Sequence, residues 1–258
     1  MSAVHPMERL RYVARADGAG VASLVEAAAR ALAGLGDDYA GLVTGCRQMV
    51  DRHPSVGPMW WLTSRMLCGE RPRDEAWAVV EALEADPTSR ELAAALPQDA
   101  VAVVLGWPEL TAAALHRRGD VRVRAVDALG DGAALVGVLA DAGVDAVEVP
   151  ESGVGAAVAR HQGLPVWVVA GEGRILPDRL WRALLARLDD GGDPWDADEE
   201  VVPLSLVDVV AGPWGSLSPS EAAVRTDCPI AAELSKGVFA PGTYRSPDGP
   251  THRRPTWR

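Results

Sequence analysis

Between Asp99 and Ala170, short runs rich in β-branched residues alternate with runs rich in Ala and Leu. The β-branched runs occupy residues 99–106, 121–127, 145–150 and 165–171. Because parallel strands cannot be joined by a tight turn, this alternation predicts parallel strands connected by crossover helices. The sequence therefore predicts an α/β fold with a mostly parallel sheet.

Each predicted strand ends at a polar or glycine-containing turn. These turns are Gly106-Trp107, Asp127, Pro150-Glu151-Ser152 and Gly171-Glu172. In open α/β sheets, ligands bind in the crevice beyond the carboxyl ends of the strands. We therefore expect Gly106, Ser152 and Gly171 to line a ligand site.

The turn after the third predicted strand continues into Gly153-Val154-Gly155, at the start of a predicted helix. Backbone amides of Gly153 and Gly155 in that position could bind a phosphate group. The alternative is that the two glycines only shape the turn, since glycine is the usual residue for tight backbone geometry.

Three acidic residues at these turns are the weak candidates for catalysis. Asp127 could accept a hydrogen bond from a sugar hydroxyl or act as a general base, or it could instead cap the helix that begins near Asp131. Glu151 follows the third strand. Glu172 lies between Gly171 and Gly173 at the end of the fourth strand, where a structural or solvated role is the alternative.

The chain before Pro97 has helical patterns and no strand pattern. Apolar residues recur at helical spacing over residues 21–35, and further helices are predicted over 39–52, 58–67 and 74–85. Pro97-Gln98-Asp99 is the predicted hinge into the α/β part. We therefore expect a helical domain over residues 1–97, an α/β domain over 98–215 and an irregular tail over 216–258.

The net charge argues against two classes of partner. The 258 residues have a formal net charge of −11 and an isoelectric point near 4.9, whereas nucleic acids and anionic membranes require clustered Lys and Arg. No apolar run is long enough to span a bilayer, and no secretory leader pattern precedes the first helix. We expect a cytoplasmic protein that binds neither nucleic acid nor membrane.

The three cysteines, Cys46, Cys68 and Cys228, are widely spaced and form no Cys-x-x-Cys pair. This pattern favours a reducing compartment and no metal site. Cys228 follows Thr226-Asp227 in a predicted loop and is the candidate for thiol reactivity. The sequence has no Gly-x-Gly-x-x-Gly after the first strand and no Walker-type motif, so we expect no cofactor.

Three segments, in order, carry a family resemblance. Residues 53–62, His-Pro-Ser-Val-Gly-Pro-Met-Trp-Trp-Leu, resemble an Arg-Pro-Thr-(Ala/Ser)-Val segment that precedes a helix. Residues 159–170 and 193–207 resemble an Ala-Lys-x-x-Gly-Ile-Pro-Val-Tyr-Val segment and a closing Asn-Pro-x-Phe-Asp-x-x-Pro segment. These segments are typical of the α/β/δ subunits of the initiation-factor-two-B complex and of the related methylthioribose-1-phosphate and ribose-1,5-bisphosphate isomerases.

The resemblance, which covers about residues 20–215, implies a helical domain on a Rossmann-like sheet, frequent dimers, and a phosphosugar or nucleotide site between domains. It assigns ligand binding to His53 and Ser55, with His53 in place of the family's phosphate-binding arginine. The family's isomerases use a cysteine after the first strand and an aspartate after a later one. This chain has Leu105-Gly106-Trp107-Pro108 at the first of these places.

The chain also departs from the family in length. Between Asp145 and Pro165 there is room for one strand and one helix, where the family has two such units, so one parallel strand is missing. A shortened sheet exposes an apolar strand edge unless a partner or a helix covers it. We expect a non-catalytic phosphosugar- or nucleotide-binding protein that forms a homodimer. The alternatives are an active sugar-phosphate isomerase with relocated catalytic residues and a structural dimerisation protein.

Overall fold

The structure is a computed structural model that describes residues 20–105, 108–126, 132–149, 159, 161–189 and 201–236 of the 258-residue chain. Its first part is helical, as predicted. The helices are α1 (Val21–Ala33), α2 (Tyr39–Arg52), α3 (Gly57–Cys68), α4 (Pro72–Glu84) and α5 (Thr88–Ala95). Local chemistry sets several starts: the Asp38 side chain accepts a hydrogen bond from the Gly41 N–H, and Pro58 and Pro72 occupy first-turn positions where no N–H is needed.

A first sheet follows, made of β1 (Val101–Leu105), β2 (Arg122–Val126) and β3 (Asp145–Val149). Its strands are parallel in the order β1-β2-β3, and α6 (Glu109–Leu115) and α7 (Gly132–Asp141) make the two crossovers. Both helices pack on one face of the sheet, where Val104, Val123 and Leu135 belong to one buried cluster. The predicted alternation of strands and helices is therefore confirmed.

A second sheet is formed by β4 (Trp167–Val169), β5 (Val209–Gly212) and β6 (Gly215–Leu217). β4 and β5 are parallel, and β5 and β6 are antiparallel. Where the sequence predicts a single mostly parallel sheet, the described strands fall into two three-stranded sheets, and β1 and β4 each pair on one side only.

The largest buried cluster joins both ends of the described chain. It contains α1–α4 residues together with Leu180 and Leu184 of α8 (Asp178–Leu188), and with Cys228 and Leu234 from the end of the described chain. Residues 218–236 include the short helices α9 (Pro219–Ala222) and α10 (Ala232–Ser235), in a region that the sequence assigns to an irregular tail. The proposed division into domains at residues 97 and 215 stays a prediction.

Candidate functional site

The turn after β4 is the strand-end turn whose structure is described in full. The Glu172 N–H donates a hydrogen bond of 3.0 Å to Asp86 Oδ2, and Asp86 Oδ1 accepts a bond of 2.9 Å from the Thr88 N–H at the start of α5. Gly171 is buried, and a β-carbon there would collide with the Asp86 carboxylate and with Leu110. One carboxylate therefore fixes both the strand-end turn and the start of a helix.

Gly173 lets this turn approach the helical part of the molecule. Its φ is +67°, a left-handed conformation that glycine adopts without strain, and its α-carbon lies against the indole of Trp61 in α3. A β-carbon on Gly57, at the start of α3, would lie 3.3 Å from the Arg174 Cα and 3.4 Å from the Gly173 carbonyl oxygen. The start of α3 and the β4 turn are thus in direct backbone contact.

This contact brings a polar loop next to the turn. His53 ends α2 and is half-buried, with its N–H bonded to the Met49 carbonyl, and Ser55 is exposed. The indole N–H of Trp60 donates to the Pro54 carbonyl at 2.9 Å, which ties the loop to α3. His53 and Ser55 therefore flank the helix start that packs against Gly173.

A third segment, residues 225–228, lies beside the turn. Arg65 of α3 pairs with Asp227, at 3.2 Å between Nη1 and Oδ2, and with Glu75, at 2.8 Å between Nε and Oε2. The Thr226 hydroxyl donates to the Ile175 carbonyl at 2.6 Å. Between this segment and the β4 turn lies a cavity of about 20 Å³ that is lined by Glu172, Trp214 and Asp227 among others, a volume that suits one water molecule.

The electrostatics of the site are mixed. Burial raises the pKa of Glu172, and the nearby charges of Asp86 and Asp227 raise it further. Arg174 lies two positions further along the chain, and desolvation lowers the pKa of its guanidinium, while the charges of Glu109 and Asp86 act in the opposite direction. A carboxyl group that holds its proton above the usual pH range can donate a hydrogen bond or a proton, while the arginine can bind an anion.

The predicted site residues divide into two groups. Gly171 and Glu172 form the β4 turn, and His53 and Ser55 flank the helix start that touches it. The remaining predicted residues lie outside the described parts of the chain: Gly106, Asp127, Glu151, Ser152, Gly153 and Gly155. Sequence reasoning missed Asp86, Arg65 and Asp227, because each lies far along the chain from the turn it contacts.

Cys228, the cysteine that the sequence offers for a test of thiol reactivity, is not in an accessible position. Its thiol is buried, and burial raises its pKa to about 12, so the nucleophilic thiolate is suppressed. The exposed cysteine is Cys68, at the end of α3. Within the described ranges, no cluster of three His, Cys, Asp or Glu side chains could hold a metal ion, and no helix is long and apolar enough to cross a membrane.

The chain has an α/β fold with a helical first part, and the structural comparison confirms the resemblance to initiation-factor-2B structures at the level of the fold. The chain is similar to translation initiation factor eIF-2B from Pyrococcus horikoshii OT3, with a TM-score of 0.64 and 13% identity over 84% of this chain and 98% of that one. It is also similar to eIF2B beta from Chaetomium thermophilum, with a TM-score of 0.60 and 14% identity over 89% and 91% of the two chains.

A third similar structure is the tetrameric eIF2B-beta2-delta2 complex from C. thermophilum. Its TM-score is 0.60, with 14% identity over 84% of this chain and 92% of that one. No protein-family model matches the sequence, and no curated protein matches it significantly. At sequence identities of 13–14%, the similarity to these structures supports a shared fold.

Proposed function

We propose that this protein binds a small phosphorylated molecule, a phosphosugar or a nucleotide, without isomerase chemistry. The observation that carries the proposal is the contact between Gly57 and the Gly173-Arg174 backbone. This contact supports the proposal because it brings the start of α3, which follows His53 and Ser55, against the strand-end turn, and strand ends are the usual position of a ligand site in an α/β protein. Arg174 supplies the positive charge, and Ser55 and His53 supply hydrogen-bonding groups.

The absence of family chemistry supports a binding role. Proton transfer between an aldose phosphate and a ketose requires a positioned acid and base. At the end of β1, where the resemblance implies a cysteine, the sequence reads Leu105-Gly106-Trp107-Pro108. The three cysteines of the chain lie elsewhere, at positions 46, 68 and 228.

One observation favours the competing function, an isomerase with relocated catalytic residues. Glu172 has a raised pKa at a strand end, which is a common property of a general acid. In that case Asp127 and Glu151 would act with it. Turnover of an aldose 1-phosphate that is lost in Glu172→Gln would establish this alternative.

Self-association in the cytoplasm is a further part of the proposal. The eIF2B-beta2-delta2 structure is a tetrameric complex by its description, and the same fold here favours association of two copies. A structural dimerisation protein without a ligand is the third possibility. Ligand binding distinguishes it from the leading proposal.

Thermal unfolding tests the binding proposal. A ligand that binds only the folded state at about 100 times its Kd stabilises it by about 2.7 kcal/mol, so glucose 1-phosphate, ribose 5-phosphate, AMP or GDP should raise the Tm by several degrees. Arg174→Gln should abolish that rise. Arg182→Gln, which changes an exposed arginine of α8 paired with Asp178, should retain it. An unchanged Tm with every compound, or an equal rise in both variants, would contradict the proposal.

A further inference from the structure

Residues 226–235, which we call the strap, are attached to the rest of the described chain through side chains. The Leu234 N–H donates to the Ala231 carbonyl within the strap. Among the described residues, no hydrogen bond between backbone groups joins the strap to another element. A segment that shares no backbone ladder with its surroundings opens locally at a lower free-energy cost than the whole protein unfolds.

Two arginines and one buried leucine hold the far end of the strap. Arg47 of α2 donates to the Glu233 carbonyl at 3.0 Å, and Arg187 of α8 donates to the Leu234 carbonyl at 3.0 Å. The Leu234 side chain is fully buried in the cluster formed by α1–α4 and α8. The strap is therefore fastened to the helices by a few separate contacts, each of which a single substitution can remove.

The near end of the strap lies over the β4 turn. The Thr226 hydroxyl donates at 2.6 Å to the carbonyl of Ile175, which follows the turn directly. The cavity of about 20 Å³ is bounded by Thr226 and Asp227 of the strap and by Glu172 of the turn. The strap therefore covers the face of the turn that carries Glu172.

The enclosed space is too small for a metabolite. A volume of about 20 Å³ holds one water molecule, whereas sites for small molecules usually measure about 300–1,000 Å³. A phosphosugar or a nucleotide therefore does not fit beside Glu172 while the strap is in place. Binding on this face of the turn requires the strap to move.

We propose that the strap opens as a unit and controls access to the Glu172 face of the β4 turn. The ligand binds the strap-open state, so its apparent affinity is reduced in proportion to the fraction of molecules that are open. The control of ligand access rests on the proposed function. The opening itself depends only on the contacts of the strap.

Two buried cysteines are natural probes of this opening. Cys228 belongs to the strap and Cys46 belongs to α2, and both are buried. We expect N-ethylmaleimide to label Cys228 faster than Cys46, with both thiols slow beside the exposed Cys68. Local opening exposes little surface, so the Cys228 rate should hardly change in low urea, whereas the Cys46 rate should rise with urea. Mass spectrometry of labelled peptides gives each rate in the wild-type protein.

Two variants separate opening of the strap from global unfolding. Arg47→Gln removes a charged donor to the strap, and we expect the Cys228 labelling rate to rise about tenfold. Val25→Ala is the control, because it weakens the packing of α1, which stays folded when the strap opens. It should accelerate Cys46 and leave Cys228 unchanged. Equal acceleration of Cys228 in the two variants would overturn the proposal, as would the same urea dependence of both thiols in the wild type.

Ligand addition tests the control of access. Glucose 1-phosphate, ribose 5-phosphate, AMP and GDP are added separately, and any compound that raises the Tm should also accelerate Cys228 labelling, because it binds the strap-open state. A compound that raises the Tm and slows Cys228 labelling, or leaves it unchanged, would overturn the control of access alone. If no compound raises the Tm, the proposed function and the control of access fail together. The urea dependence of Cys228 labelling then still decides whether the strap opens.

Discussion

Arg118 and Asp120 form a two-pronged ion pair, with 2.7 Å between Nε and Oδ1 and 2.7 Å between Nη2 and Oδ2. This arrangement holds the pKa of Asp120 well below its usual range. Asp120 also accepts a 3.1 Å bond from the Asp99 N–H. The remaining N–H groups of Arg118 donate to three backbone carbonyls at the end of α5 and just after it, those of Ala93, Leu96 and Pro97. The pair therefore fixes the connection between α5 and the first sheet.

We expect Arg118→Gln to loosen this connection. The substitution removes the ion pair and leaves backbone carbonyls near residue 97 without their donor, so the Tm should fall and limited proteolysis near residues 97–99 should accelerate. Arg117→Gln is the control, because Arg117 is an exposed neighbour on the same segment. Equal effects of the two substitutions would show that the Arg118 contacts do not hold the hinge.

Gly173→Ala should destabilise the protein more than Gly163→Ala. Both glycines have positive φ, +67° and +71°, so each substitution carries a backbone cost of about 1–2 kcal/mol. A β-carbon at Gly173 also meets the Trp61 indole, whereas none of the surrounding atoms lies within 4 Å at Gly163. Overpacking adds about 1–3 kcal/mol. Urea unfolding measures the difference in the free energy of unfolding. An equal loss in the two variants would contradict the contact between Gly173 and Trp61.

Glu172→Gln should raise stability at neutral pH. Because the folded-state pKa of Glu172 lies above its ordinary value of about 4.5, the folded state binds this proton more tightly than the unfolded state. The resulting stability is present at low pH and is lost as pH rises through the folded-state pKa. The variant should therefore have a higher Tm than the wild type at pH 7 and a similar Tm at pH 4. Glu70→Gln, at an exposed position, should show no such difference between the two pH values.

Thiol labelling should modify one cysteine of the folded protein. Cys68 is exposed, while Cys46 and Cys228 are buried and their pKa values are raised by burial. We expect one label per chain before unfolding and three after it, with Cys68→Ser unlabelled in the folded state. Mass spectrometry identifies the labelled residue. Rapid labelling of Cys228 in the folded protein would contradict the packing of residues 225–228.

The sequence was informative where local pattern decides structure. Helical spacing predicted α2 over 39–52, which is where the structure has it, and β-branched runs predicted β1, β2 and β3. These features depend on propensity and periodicity within a few residues. The same reasoning correctly singled out Gly171 and Glu172 as a strand-end turn.

The rest depended on contacts between distant residues. The Asp208 carboxylate accepts a hydrogen bond from the Val166 N–H, and this contact helps set the β4–β5 pairing across 42 positions of the chain. Asp86 resembles an ordinary turn residue in the sequence, yet it anchors a strand end far along the chain. Cys228 lies in a loop pattern and is buried by packing against the helical core. A single sequence contains no local signal for any of these contacts.

The core shared by α1–α4 and residues 180–234 has a consequence during synthesis. The ribosome completes α4 at Glu84, but Leu234 follows 150 residues later, a delay of roughly 8–30 s at about 5–20 residues per second. For more than half of that delay the apolar faces of the first helices lack Leu180 and Leu184, and until its end they lack Leu234. The nascent chain therefore exposes apolar helix surface for many seconds. The yield of folded protein should depend on chaperones that bind emerging helices.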